Sequence, residues 1–304
     1  MPKIMGELFS LLSAFFWACA VIIFKQIGDR IPPVLLNAIK NTIGFILLFM
    51  TIFLFGGNPF SIPNGITNQD ITILIVSGIL GLGIADILFF HSLNIVGAGI
   101  SALVDIMYSP FVILFAFFLL GEKLVEIQIL GGILIIGSII FASIKLRNIP
   151  VERKRLKFGI LVGVIALALM AFCIVWIKPI LNKMNGVNNQ LWIAGFRMIP
   201  GAIVPILISF FVIPKSKLIK ILSNKSIWKP LFLGTIFSTY LGISFWIIGM
   251  ALTKASVAAI LNQTASFFIL ILARIFLNEL ITPRKTIAII IASIGAILIL
   301  LGST

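Results

Sequence analysis

Residues 97–122 read GAGISALVDIMYSPFVILFAFFLLGE, and residues 254–279 read KASVAAILNQTASFFILILARIFLNE. Each is a long apolar stretch closing in a glutamate, and the two lie 157 positions apart, so that Leu119-Leu120-Gly121-Glu122 falls onto Phe276-Leu277-Asn278-Glu279. The same offset carries Lys40 onto Arg197 and Asp105 onto Asn262. It also carries Ser77, Gly81 and Ala85 onto Gly234, Ser238 and Gly242. Near the start the offset is 153, taking Ala18 onto Ala171 and Lys25 onto Lys178, and a four-residue insertion between the sixth and seventh apolar runs accounts for the change. Matches spread over several runs point to a duplicated chain.

Composition says where such a chain lives. Hydrophobic residues make up 61% of it, charged residues 11%, and the mean hydropathy is +1.23. Soluble domains average about 45–50% apolar and about 25% charged. This chain has too little polar surface to clothe a soluble fold, and its apolar runs reach the roughly 18 residues or more that cross a ~30 Å hydrocarbon layer. The net charge of +14 does not indicate nucleic acid. Most of it sits in short loops between apolar runs, where juxtamembrane Lys and Arg belong. Cys19 and Cys173 both lie inside apolar runs, so no structural disulfide is expected. Lys3, an apolar stretch and Ala18-Cys19-Ala20 resemble a cleaved signal peptide, but the run continues through Val21, Ile22, Ile23 and Phe24 and more runs follow, so it reads as a first span.

The spans read as 6–25, 33–55, 71–91, 97–120, 126–144, 159–180, 189–212, 230–250, 254–276 and 285–302, each bounded by Pro, Gly, Asn or charge. This is an all-α polytopic membrane protein of ten transmembrane helices. Residues 1–150 form a first five-helix repeat and 151–304 a second. Five is odd, so the second half enters the membrane from the opposite side, which makes an inverted-topology repeat with a site expected near the midplane. The segment 213–229, with Lys215, Lys217, Lys220, Lys225 and Lys229 among Leu and Ile, reads either as a basic amphipathic segment lying in the interface or as a solvated loop.

Trp17-Ala18, six residues and Lys25 resemble the W-G-(six residues)-K signature of the first helix in EamA-type members of the drug/metabolite transporter superfamily, with Ala18 in place of the usual Gly. Leu119-Leu120-Gly121-Glu122 is similar to the L-G-E motif that closes that family's fourth helix, and Tyr108-Ser109-Pro110 resembles the Pro-containing segment before it. The resemblance covers both halves. It implies ten helices, a central cavity lined by the first, third and fourth helices of each half, and alternating access. It further implies transport, often export, of amino acids, related metabolites, sugars or nucleotide derivatives.

Ionisable residues inside spans usually face a cavity, a partner or a water path. Lys40, Asp86, Asp105 and Arg197 are the four that stand out, two of each sign. They read either as a substrate or coupling set or as structural ion pairs. Asp105 lies near the middle of its span with Tyr108 three residues on, on the same helix face, and suits a proton-coupling role. Asp86 reads as nearer one end of its span. Trp17, Tyr240, Asn262 and Gln263 are further cavity candidates, while Trp246 reads equally as cavity or interface. His91 reads as a wetted helix-end residue and Arg274 as snorkelling. The small-residue ridges in the third and eighth spans read first as close packing.

Lys25 and Glu279 reach one membrane face, Lys178 and Glu122 the other, and a Glu at a helix C-terminus opposes the dipole. Each Glu is therefore expected to pair with the Lys of the other half, forming two gates. Counting a lysine at a span edge with the adjoining loop, loops after odd-numbered spans hold 15 Lys and Arg, and the termini and remaining loops hold 5. The positive-inside rule then puts both termini outside, whereas the resemblance implies cytoplasmic termini.

The sequence offers no paired His, no HExxH, no phosphate-cradling Gly-rich loop and no metal-ligand cluster, so neither an enzyme nor a metal or cofactor is expected. A non-transporting scaffold would normally carry a soluble domain, and a channel fits less well with duplication and isolated charges. The expected function is a secondary active transporter, an exporter of small polar metabolites such as amino acids. It is expected in the plasma membrane of a prokaryotic cell, among lipids and with protons as a coupling ion. The sequence leaves the oligomeric state open.

Overall fold

In a hydrocarbon layer each backbone N–H and C=O must find its partner within the protein, and a helix does this along a single segment. The computed structural model describes residues 2–121, 125–143, 152–184, 186–278, 280 and 282–301, and among them the regular elements are all helical. In chain order they are α1 (Pro2–Ile27), α2 (Pro33–Leu54), α3 (Asn68–Val96), α4 (Ala98–Leu120), α5 (Glu126–Ser143) and α6 (Arg153–Lys183). There follow α7 (Val187–Val212), α8 (Lys215–Leu222), α9 (Lys225–Leu252), α10 (Ala255–Asn262), α11 (Ala265–Phe276) and α12 (Pro283–Leu301). Seven of them, α1 to α4, α6, α7 and α9, are long and apolar enough to cross a membrane, and α11 is a shorter apolar helix.

Local chemistry sets the boundaries. Pro33 opens α2 at a position where its missing N–H costs nothing. Thr67 and Asp70 form a reciprocal capping box at the start of α3, and Lys183 reaches the same carboxylate at 3.4 Å. Gly97, at φ 79°, makes the sharp joint between α3 and α4 that a side chain would resist.

Two spans read as continuous in the sequence are interrupted. α4 breaks at residues 106–107, between Asp105 and Tyr108, and the matching stretch breaks at 263–264 to give α10 and α11. Adding 157 carries one break onto the other. The third and eighth spans share a second irregularity, a π-helical section at Gly78–Ala85 in α3 and at Ile236–Gly242 in α9, again at matching positions. Wide turns of this kind concentrate at functional sites.

Packing alternates between the halves. α1 lies against α9, α10 and α11, while α6 lies against α3 and α4; α2 packs on α7, and α5 on α12. At the centre the backbones come very close. A Cβ at Gly44 of α2 would stand 2.2 Å from Cγ2 of Thr239, and one at Gly201 of α7 would stand 2.8 Å from Cβ of Leu82. Positions 44 and 201 are repeat mates, as are 82 and 239, so each π section is met by a glycine of the other half.

The first π section is braced by amides. Asn37 donates to the carbonyls of Leu82 (2.8 Å) and Gly83 (2.9 Å). Asn41 donates to Leu82 (2.9 Å) and, across the halves, to Gly201 (2.9 Å). Its Oδ1 also accepts from Lys40 Nζ at 2.8 Å. Irregular backbone survives at membrane depth only where neighbours satisfy it in this way. Asn41→Ala should lower stability in mild detergent by about 1–3 kcal/mol, the cost of leaving buried polar groups unpaired. That exceeds the average of about 0.6 kcal/mol for single interhelical hydrogen bonds in a membrane protein. A thermal melt unchanged from the parent would show that Asn41 is no brace.

Candidate functional site

The π sections and the helix breaks converge on one cavity of about 130 Å³. α1 supplies Ser13 and Trp17, α2 Lys40, α3 Gly81, Leu82 and Asp86, and α4 Asp105 and Tyr108. Leu167, Met170 and Ile174 come from α6, Arg197 from α7, Ser238, Thr239, Gly242, Ile243, Trp246 and Ile247 from α9, and Asn262 from α10. Both halves therefore contribute to its wall.

The four charges singled out in the sequence all reach this space, in three different states. Lys40 and Asp86 form an ion pair at 2.6 Å, both buried, with Lys40 also 5.7 Å above the Phe90 ring. Asp86 is not near a helix end, as the sequence suggested, because α3 continues through Val96 and leaves Asp86 well inside it. Arg197 is buried, and its Nε donates to Ser77 Oγ at 3.0 Å, but among the described residues it has no ion pair. Asp105 is 6% exposed, and among the described residues its carboxylate has neither a hydrogen bond nor an ion pair.

Position explains much of this. Asp105 is the last residue of the first segment of α4, and Asn262 is the last residue of α10. Each break turns the chain partway along its apolar stretch; Asp105 and Asn262, which close the segments before the breaks, both line the cavity. The Oδ1 of Asn262 is buried without a partner, so the wall holds two unfilled acceptors at repeat-related positions. Tyr108 begins the next segment of α4 and packs edge-on against Trp246 at 6.0 Å, while Trp17 leans on Phe89 at 5.4 Å. Ser13 Oγ donates to the Gly242 carbonyl at 2.9 Å, holding the second π section against α1.

Of the residues singled out in the sequence, Trp17, Lys40, Asp86, Asp105, Tyr108, Arg197 and Asn262 line the cavity. Tyr240 does not; its hydroxyl pairs with Thr51 Oγ1 at 2.7 Å, tying α9 to α2. Gln263 sits in the helix break, buried with an unpaired Oε1 and off the cavity wall. The wall also holds Ser13, Thr239 and Trp246. The small residues Gly81, Ser238 and Gly242 both pack closely and leave the room the cavity occupies. His91 is exposed with its ring edge-on to Phe158, and Arg274 is exposed. Among the described residues no group of His, Cys, Asp and Glu could hold a metal.

Of the two expected gates, Glu122 and Glu279 lie outside the described residues. Their lysines have backbone partners. Lys25 donates to the Asn94 carbonyl at 3.2 Å, and Lys178 to the carbonyls of Met250 and Thr253.

A solved protein structure matches over 97% of this chain and 96% of its own, with a TM-score of 0.74 and 17% identity, a likeness that shows the fold alone. None of the curated proteins matches the chain. The model of the EamA-like transporter family matches it twice, over residues 4–144 and 157–301. The chain belongs to the EamA-like transporter family, as a multi-pass membrane protein whose family implies a small-molecule substrate.

Proposed function

We propose that the chain is a secondary active exporter of small zwitterionic metabolites such as amino acids, working by alternating access around the central cavity and coupled to protons through Asp105. The observation that carries this is the charge state of the cavity. Lys40 and Asp86 neutralise one another at 2.6 Å, which leaves one carboxylate, Asp105, and one guanidinium, Arg197, without ion partners in the same wall. Unpaired charge in a low-dielectric interior is costly. A solute carrying both an ammonium and a carboxylate supplies both missing partners and adds no net charge. When the cavity is empty, a proton on Asp105 can replace the ammonium. Binding and protonation then compete for one carboxylate, which is what exchange of a proton for a substrate needs.

The architecture we propose is ten membrane helices in two inverted halves, 1–150 and 151–304, in the plasma membrane of a prokaryotic cell. The alternating packing supports it: α1 lies on α9, α10 and α11 of the second half while α6 lies on α3 and α4 of the first. Rocking of one half on the other would then expose the cavity to each side in turn. The loop charges, 15 against 5, favour termini outside the cell. Glu122 with Lys178 and Glu279 with Lys25 are proposed as the closures at the two ends, weak enough to open because exposed pairs are worth only about 0–1 kcal/mol.

Two measurements test these readings separately. In proteoliposomes loaded with labelled amino acids, the parent should show efflux driven by a proton gradient. Asp105→Asn should abolish that drive while the protein still inserts and folds; gradient-driven efflux at the parent rate would leave Asp105 without a coupling role. For topology, Asn58→Cys and Ser216→Cys sit at exposed positions of the two repeat-related connections. A membrane-impermeant maleimide should reach them from opposite faces of the membrane, and labelling of both from one face would exclude inverted halves.

A further inference from the structure

The loop 56–67 and its repeat mate, which begins at 213, occupy corresponding places but differ sharply in charge. The matching residues 56–72 carry one charge, Asp70, which caps α3, whereas 213–229 carry Lys215, Lys217, Lys220, Lys225 and Lys229 with no acidic residue. One copy of the connection folds without a single lysine or arginine, so the lysines are not needed to make the turn. No Asp or Glu occurs anywhere from residue 153 to residue 278, so this half offers them no counter-charge nearby in sequence. Among the described residues none of the five forms an ion pair.

The segment is also built to lie flat. Ile213, Ile221 and Ile227 are buried in the main apolar core, and Leu218 is partly buried against that core. All five lysines are exposed. Between them Ile219 is 64% exposed and Trp228 38%, the latter donating its indole N–H to the Leu222 carbonyl at 2.9 Å. α7 and α9 are both long and apolar enough to cross a membrane, so the connection between them emerges at the membrane surface. Lysines beside an aromatic and an aliphatic side chain at that depth match an acidic lipid surface, with headgroup phosphate for the ammonium groups and the acyl boundary for Ile219 and Trp228.

We propose that the segment 213–229 is a docking surface for acidic phospholipid headgroups of the surrounding membrane, and that this contact anchors α7 and α9. The test uses the full-length protein in detergent, with its thermal midpoint followed during titration with phosphatidylglycerol or phosphatidylcholine. Phosphatidylglycerol should raise the midpoint at concentrations where phosphatidylcholine does not. In the variant K215Q/K217Q/K220Q/K225Q/K229Q the half-maximal lipid concentration should rise roughly tenfold or more, since juxtamembrane lysines are worth about 1 kcal/mol each on acidic membranes. R153Q/K154Q/R155Q/K157Q, which removes a different basic cluster, should keep the parent response. Molar salt should weaken the effect on the parent, an arm that needs no variant. The proposal is overturned if both lipids act alike, if the five-lysine variant responds as the parent does, or if glycerol 3-phosphate reproduces the shift and makes the ligand a soluble anion.

Discussion

Lys40 and Asp86 meet at 2.6 Å, both buried inside the helical bundle, and the structure around them is arranged so that neither is left bare. The ammonium has a second acceptor in Asn41, whose own amide is committed to the carbonyls of Leu82 and Gly201. Those bonds hold the π section of α3 in place, which in turn fixes where Asp86 leaves the helix. Removing one member of a buried ion pair typically costs about 3–5 kcal/mol, because its partner stays buried and charged. Ion pair, amides and wide turn therefore form one unit. The unit occupies one wall of the cavity and extends by a single hydrogen bond to the second half.

The two halves repeat their backbone more faithfully than their chemistry. The π sections, the helix breaks and the close-approach glycines recur at an offset of 157. The polar side chains do not. Asn37, Asn41 and Asp86 correspond to Ala194, Met198 and Ile243, and Asp105 to Asn262; of the four charges only the cation is matched by a charge, as Lys40 and Arg197. The second π section is held instead by hydroxyls, Ser13 on Gly242 and Thr51 on Tyr240. Symmetry thus supplies a cavity between equivalent frames, and asymmetry gives that cavity its carboxylates on one side only.

Much of this was legible in the sequence because it rests on long-range regularities. Apolar runs of membrane length and a fixed offset survive local irregularity, so the helical class, the duplication and the four buried charges could be read directly. What failed to show was local. A π turn adds a residue to the helical repeat and rotates the side chains that follow, so that Tyr240, placed in the cavity by its depth, points to Thr51 instead. Trp246, undecided between cavity and interface, lies on the wall. Helix breaks at 106–107 and 263–264 lack a Gly or Pro within them to announce the turn, and Gln263 sits in the break, away from the cavity. The pairing of Lys40 with Asp86, which leaves Asp105 alone, depends on distances that spacing does not contain.

The distribution of acid then constrains how the protein comes together. Between residues 153 and 278 there is no Asp or Glu, yet Arg197 is buried in that stretch at the centre of α7. Its hydrogen-bond partner Ser77 belongs to the first half, as do both carboxylates in the cavity it lines. Within 153–278 no carboxylate is available to it, so its guanidinium can meet one in the cavity only by association with the first half. The first half has the complementary deficit, because Asp105 has no cation left once Lys40 is engaged by Asp86. Each half thus brings to the shared cavity one charge that its own pairings leave over. Burial of those two charges is least costly where the halves meet, which makes the interface between them a site of association and, in the function proposed above, the place where a charged solute would substitute for a missing partner.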